Sequence, residues 1–117
     1  MAFKPRLTEK TITLKGGDIA AGSFVLWRAS VPCRVMAVRA YRVGGTGAAV
    51  NATKNGASVL TGDLSVNAAS TWVPGSLAAL ANRRMQAGDT LAATVVSVAG
   101  TPTDLTIQID IEKDANF

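Results

Sequence analysis

The chain has 117 residues, too few for two cores of workable size, and reads as one domain over residues 1–117. Charged residues make up 17%, against roughly 25% in ordinary soluble domains; histidine is absent and Cys33 is the sole cysteine, which excludes His-based catalysis, His/Cys zinc sites and intrachain disulfides. No apolar run reaches the ~18 to 20 residues of a membrane span, and Met1-Ala2-Phe3-Lys4-Pro5-Arg6 lacks a signal-peptide core, so neither membrane insertion nor classical secretion is expected.

Twelve Val, five Ile and twelve Thr favour strands, and eleven Gly and four Pro spread along the chain supply turns. From Thr8 to Lys15, Ile12 and Leu14 alternate with Thr11, Thr13 and Lys15, which predicts a first strand. Phe24-Val25-Leu26-Trp27 is apolar on both faces, the pattern of a strand covered on both sides. Arg34 to Val43 follows the Val31-Pro32 break, with Met36, Val38 and Ala40 on one face and Val35, Ala37 and Tyr41 on the other. Ala48 to Thr53 leads into Lys54-Asn55-Gly56-Ala57, where Asn-Gly suits the two positive-φ positions of a type I′ hairpin.

Val59-Leu60 and Thr71-Trp72-Val73 are strand-like, with loop-like residues between them and Pro74-Gly75 as a stop. Ser76 to Gln86 has Leu77, Leu80, Ala81 and Arg84 at helical spacing, and fits equally an irregular loop carrying a short strand. Leu91 to Val98 is a further strand. From Asp104 to Lys113, Leu105, Ile107, Ile109 and Ile111 alternate with Thr106, Gln108, Asp110 and Glu112, as in a strand buried on one side. About eight strands in one small domain predict an all-β, antiparallel β-sandwich or small barrel.

Val50-Asn51-Ala52-Thr53-Lys54-Asn55-Gly56, then Ala87-Gly88-Asp89-Thr90-Leu91, then Thr103-Asp104-Leu105-Thr106-Ile107 resemble a small jelly-roll module recurring in tailed-phage structural proteins. Order and spacing match over roughly residues 34 to 111. The resemblance implies a jelly-roll-like sandwich and a structural virion role, most directly a capsid decoration (cement) subunit bound to the major capsid protein. A carbohydrate- or receptor-binding module of a head fibre or tail is the alternative, and it requires aromatics exposed in a cleft.

Charge divides along the chain: residues 1–54 sum to +7 and residues 55–117 to −3. A basic N-terminal half suits an acidic protein lattice or the acidic half of a second copy, and scattered solvated charge accounts for it as well. Nucleic acid is not expected, because only Tyr41, between Arg39 and Arg42, interleaves an aromatic with the basic residues. The candidate capsid or subunit interface comprises Phe3, Lys4 and Arg6 on an extended N-terminal arm, residues 1–6, together with Arg34, Arg39 and Arg42. Simple alternation puts Arg34 and Arg42 on one face of their strand and Arg39 on the other. Apolar strands and sparse charge predict self-association, as a homotrimer.

No catalytic, cofactor or metal site is expected. Asp89 and Asp104 are the carboxylates a glycosidase reading needs, but each sits in a turn where Asp bonds its own backbone. Gly44-Gly45-Thr46-Gly47 lacks the Lys and helix of a phosphate cradle. Cys33 is expected as a small core or edge residue, and Trp27 and Trp72, each within an apolar strand, are expected in the core. The expected location is the virion's capsid surface, after assembly in the host cytoplasm.

Overall fold

A computed structural model describes residues 7–113, so the arm carrying Phe3, Lys4 and Arg6 lies outside the described residues. Ten strands form two antiparallel sheets. Sheet A holds β1 (Leu7–Lys15), β10 (Pro102–Lys113) and β3 (Cys33–Gly44), with β7 (Val73–Pro74) and β8 (Arg84–Met85) both pairing beyond β3. Sheet B holds β2 (Gly22–Arg28), β9 (Thr90–Ala99) and β4 (Gly47–Lys54), with β5 (Ala57–Ser58) and β6 (Leu64–Ser65) both pairing beyond β4. Taking β5 with β6 and β7 with β8 as two interrupted strands leaves eight positions. The chain crosses between sheets at β1–β2, β2–β3, β3–β4, β6–β7, β8–β9 and β9–β10, which gives the jelly-roll order.

Strand composition fixes the core between the sheets. Leu105, Ile107, Ile109 and Ile111 of β10 are fully buried, as alternation predicts, and face Leu91, Ala93 and Val95 of β9 and Val50 and Ala52 of β4. Each buried Leu, Ile or Val contributes about 1.5–3 kcal/mol by leaving water. Asn55 (φ 51) and Gly56 (φ 87) form the predicted hairpin between β4 and β5. The 76–86 stretch takes both of its available forms: Leu77 bridges Leu60, then comes a single helical turn, α1 (Leu80–Arg83), and then β8.

Two expectations from simple alternation are overturned by β-bulges. In β3, Val35 pairs with Ile111 and Ala37 with Asp110, leaving Met36 as an extra residue. Val35, Val38 and Ala40 therefore share the core face, while Met36 is exposed. In β2, Val25 pairs with Ala92 and Trp27 with Leu91, so Leu26 is the extra residue. The segment is not covered on both sides: Val25 is 73% exposed on the outer face of sheet B. An extra residue reverses inside and outside for everything beyond it.

Candidate functional site

The row Leu7–Glu112–Arg34–Arg84 crosses sheet A at one pole of a molecule measuring 50 × 25 × 22 Å. Arg28 and Lys54 end β2 and β4 at the same pole, beside Lys113. Arg28, Arg34, Lys54, Arg84 and Lys113 thus gather there against Asp89 and Glu112. Leu7, the first described residue, stands in this row, and Lys4 and Arg6 lie outside the described residues.

Much of the sequence's charge asymmetry is consumed inside the molecule. Antiparallel pairing sets basic β3 beside acidic β10: Arg34 pairs with Glu112, and the Arg39 Nη2 lies 2.9 Å from Asp110 Oδ2 while its Nη1 donates to Gln108. Lys15 pairs with Asp104 across β1 and β10 at 3.1 Å. Because of the Met36 bulge, Arg34 and Arg39 lie on the same outer face, not on opposite ones.

Arg42 is a second correction. It was expected at the surface, but it points into the sandwich opposite Leu105 and is 2% exposed. Its Nε donates to the Val66 carbonyl at 2.8 Å, its Nη2 to the Asn67 carbonyl at 2.9 Å, and its Nη1 to the Gly44 carbonyl. A planar five-donor fork meets three backbone acceptors and ties the 61–72 loop to β3. Arg42 is a structural clamp. Ser70 N–H also donates to the Arg42 carbonyl, at 2.7 Å.

That clamped loop delivers Trp72, another correction: it lies outside the core, 46% exposed, with its ring centroid 5.2 Å from that of Tyr41 and the planes tilted by 54°. The sequence did hold a signal for this, because Pro74 two residues later confines the strand to a sheet edge. Trp27 packs partly against the core, with Lys10 Nζ 4.9 Å from its ring centroid. Cys33 is fully buried, as expected.

Asp89 lies in the turn before β9, whereas Asp104 lies on β10 in the other sheet, paired with Val43 and Lys15 toward the opposite pole and not in a turn, so the two do not share a cleft. Asp89 Oδ1 accepts from Asn55 and Oδ2 from the Gln86 N–H, and these bonds hold its carboxyl below the ordinary range. A cleft of about 480 Å³ lies at the pole opposite the Leu7–Glu112–Arg34–Arg84 row, lined by Gly16, Ile19, Val98, Pro102 and Thr103; these side chains offer no acid or base. A smaller one of about 240 Å³ lies beside Ser65, Pro74 and Asp63, whose Oδ1 already accepts from Asn51.

No protein-family model and no curated protein matches the sequence. Solved structures share its fold. A chain of the capsid of Ralstonia phage GP4 aligns with TM-score 0.63 and 13% identity, over 97% of this chain and 87% of that one. A chain of the cyanophage Pam1 capsid aligns with TM-score 0.57 and 9% identity, over 97% and 88%. The CBM36-1 domain of a xylanase from the hindgut metagenome of Trinervitermes trinervoides aligns at TM-score 0.49 and 15% identity, over 96% and 100%.

Proposed function

We propose that the chain is a non-enzymatic structural subunit of a tailed-phage virion, a decoration (cement) protein that binds the outer surface of the head. The observation that carries this reading is the match of the whole jelly roll to chains of two phage capsids that are close to it in length. The basic pole and residues 1–6, with Phe3 as an apolar anchor beside Lys4 and Arg6, make the contact with the major capsid protein; Arg34 lies in the row of Leu7 and Arg39 about four residues, or ~13 Å, further along the face. Each copy bridges neighbouring capsid subunits, and many modest contacts together resist internal pressure.

Self-association as a trimer, which we assign to the uncharged outer face of sheet B around Val25 and Val96, adds avidity. The test mixes purified protein with undecorated heads. Deleting residues 2–6 should reduce occupancy several-fold with unfolding nearly unchanged. Full occupancy without the arm removes it from the interface, and virions holding only a few copies by mass spectrometry would sink the decoration reading.

A further inference from the structure

We propose that Trp72 and Tyr41 form a binding platform for a neutral carbohydrate on the flank of sheet A. The proposal goes beyond head decoration and does not depend on it.

Trp72 sets an exposed indole against the Tyr41 ring, and it is held in place by unusual means. The segment 66–72 ends in Trp72 and is fixed by two donations from a buried arginine, to the Val66 and Asn67 carbonyls, and by the Ser70 N–H, with Ser70 itself at φ 54. Val73 and Pro74 then pair with Ala40 and Arg39, which fixes the indole beside Tyr41. An aromatic so constrained loses little freedom on binding.

The surroundings indicate the ligand. Neither the Tyr41 hydroxyl nor the Trp72 indole N–H is hydrogen-bonded to another described residue, the Tyr41 hydroxyl is not a buried unpaired atom, and Trp72 is an exposed residue, which leaves both groups for a ligand. Across the sheet, Tyr41 pairs with Thr106, and the Thr106 hydroxyl lies 3.1 Å from that of Thr13. The next row holds Gln108, bonded to Arg39. The nearby charges are already matched, Lys15 with Asp104 and Arg39 with Asp110. Aromatic face, phenol, indole N–H and a row of hydroxyls without net charge suit a pyranose, whose C–H face stacks on the ring while its hydroxyls exchange bonds with the rim. A proline-rich peptide fits less well, because the two rings touch each other and leave no slot between parallel ridges. Their mutual tilt favours a single bent sugar unit over a flat polysaccharide surface.

The test is NMR titration of the intact chain with cellotriose, xylotriose, maltotriose and chitotriose at millimolar concentration, following the two indole N–H resonances. With at least one sugar, the Trp72 resonance should shift saturably while that of Trp27 stays fixed. Affinity should fall about tenfold in Trp72→Ala and by less in Tyr41→Phe. An unmoved Trp27 resonance in the Trp72→Ala protein reports an intact fold. No saturable shift with any of the four overturns the proposal, as does a shift produced only by a proline-rich peptide. Loss of head binding in Trp72→Ala without sugar binding would assign the platform to a protein contact instead.

Discussion

Arg34 and Arg39 lie on the same face of sheet A although they are five residues apart, because Met36 is an extra residue between them in β3. Both are thereby brought over β10, where Glu112 and Asp110 receive them. Asp110 is only 7% exposed, and its Oδ2 contact with Arg39 is what offsets the loss of water. Arg39→Ala should therefore cost about 1–3 kcal/mol in urea unfolding, more than an exposed ion pair is worth, and Asp110→Ala in the same background should recover part of it. A loss below about 0.5 kcal/mol would mean that water serves Asp110 as well as the guanidinium does.

Arg42 supports a larger expectation. Removing its guanidinium leaves the carbonyls of Gly44, Val66 and Asn67 without their donors in the sandwich. Arg42→Met should destabilise by about 3 kcal/mol or more, and Arg42→Lys should rescue little, since one ammonium cannot reproduce the fork. Denaturant midpoints measure both. A lysine variant as stable as the parent would show that charge alone holds the loop.

What the sequence made legible follows the physics of alternation. β10 could be read residue by residue because it has one wet face and, from Asp104 onward, no extra residue of its own, and the Asn55-Gly56 hairpin because positive φ fits there. Arg42 was misplaced because an arginine on an alternating strand gives no sign that three carbonyls await it inside. Alternation taken without the Met36 bulge puts Arg34 and Arg39 on opposite faces. Trp72 was misread because hydrophobicity counts the indole and ignores the edge that Pro74 imposes.

The edge of sheet A carries its own safeguard. β1 pairs only with β10 among the described residues, and Lys10 lies on its inward-facing side, over Trp27 of β2. A charge turned inward at an edge opposes pairing with another strand, while the cation–π contact contributes about 0.5–1 kcal/mol. Lys10→Ile should leave the monomer about as stable and raise concentration-dependent aggregation on dynamic light scattering. Unchanged scattering would leave Lys10 as a packing residue only.

Asp89 links stability to acidity. Its folded pKa is depressed, first by the Asn55 side chain, then by the Gln86 N–H and more weakly by Lys54, against a small opposing desolvation. A group depressed in the folded state stabilises fully above the unfolded carboxylate range and loses that contribution as pH falls through its folded value. Melting temperatures of the parent and Asp89→Asn should therefore differ at about pH 7 and converge toward about pH 3. Parallel curves over that range would mean that the turn is held by the Asn55 bonds alone.

Docking at the basic pole should be tested at Arg84, not at Arg42. Arg42 is buried, so its replacement would unfold the loop and report nothing about attachment. Arg34 is also a poor probe, because its loss strands Glu112. Arg84 is exposed on β8 directly beside Arg34, in the row that begins at Leu7. Single exposed pairs contribute about 0.2–1 kcal/mol and are screened over about 8 Å at physiological salt, so no one cation decides affinity. The pole acts through its summed field on the encounter. Arg84→Glu should accordingly slow association with bare heads several-fold and leave dissociation nearly unchanged, and raising salt to about 1 M should erase the difference between variant and parent. Surface-plasmon kinetics on immobilised heads separates the two rates. Association indifferent to both Arg84→Glu and salt would leave the pole's charge with a role in solubility alone, and the apolar arm would then have to carry docking by itself.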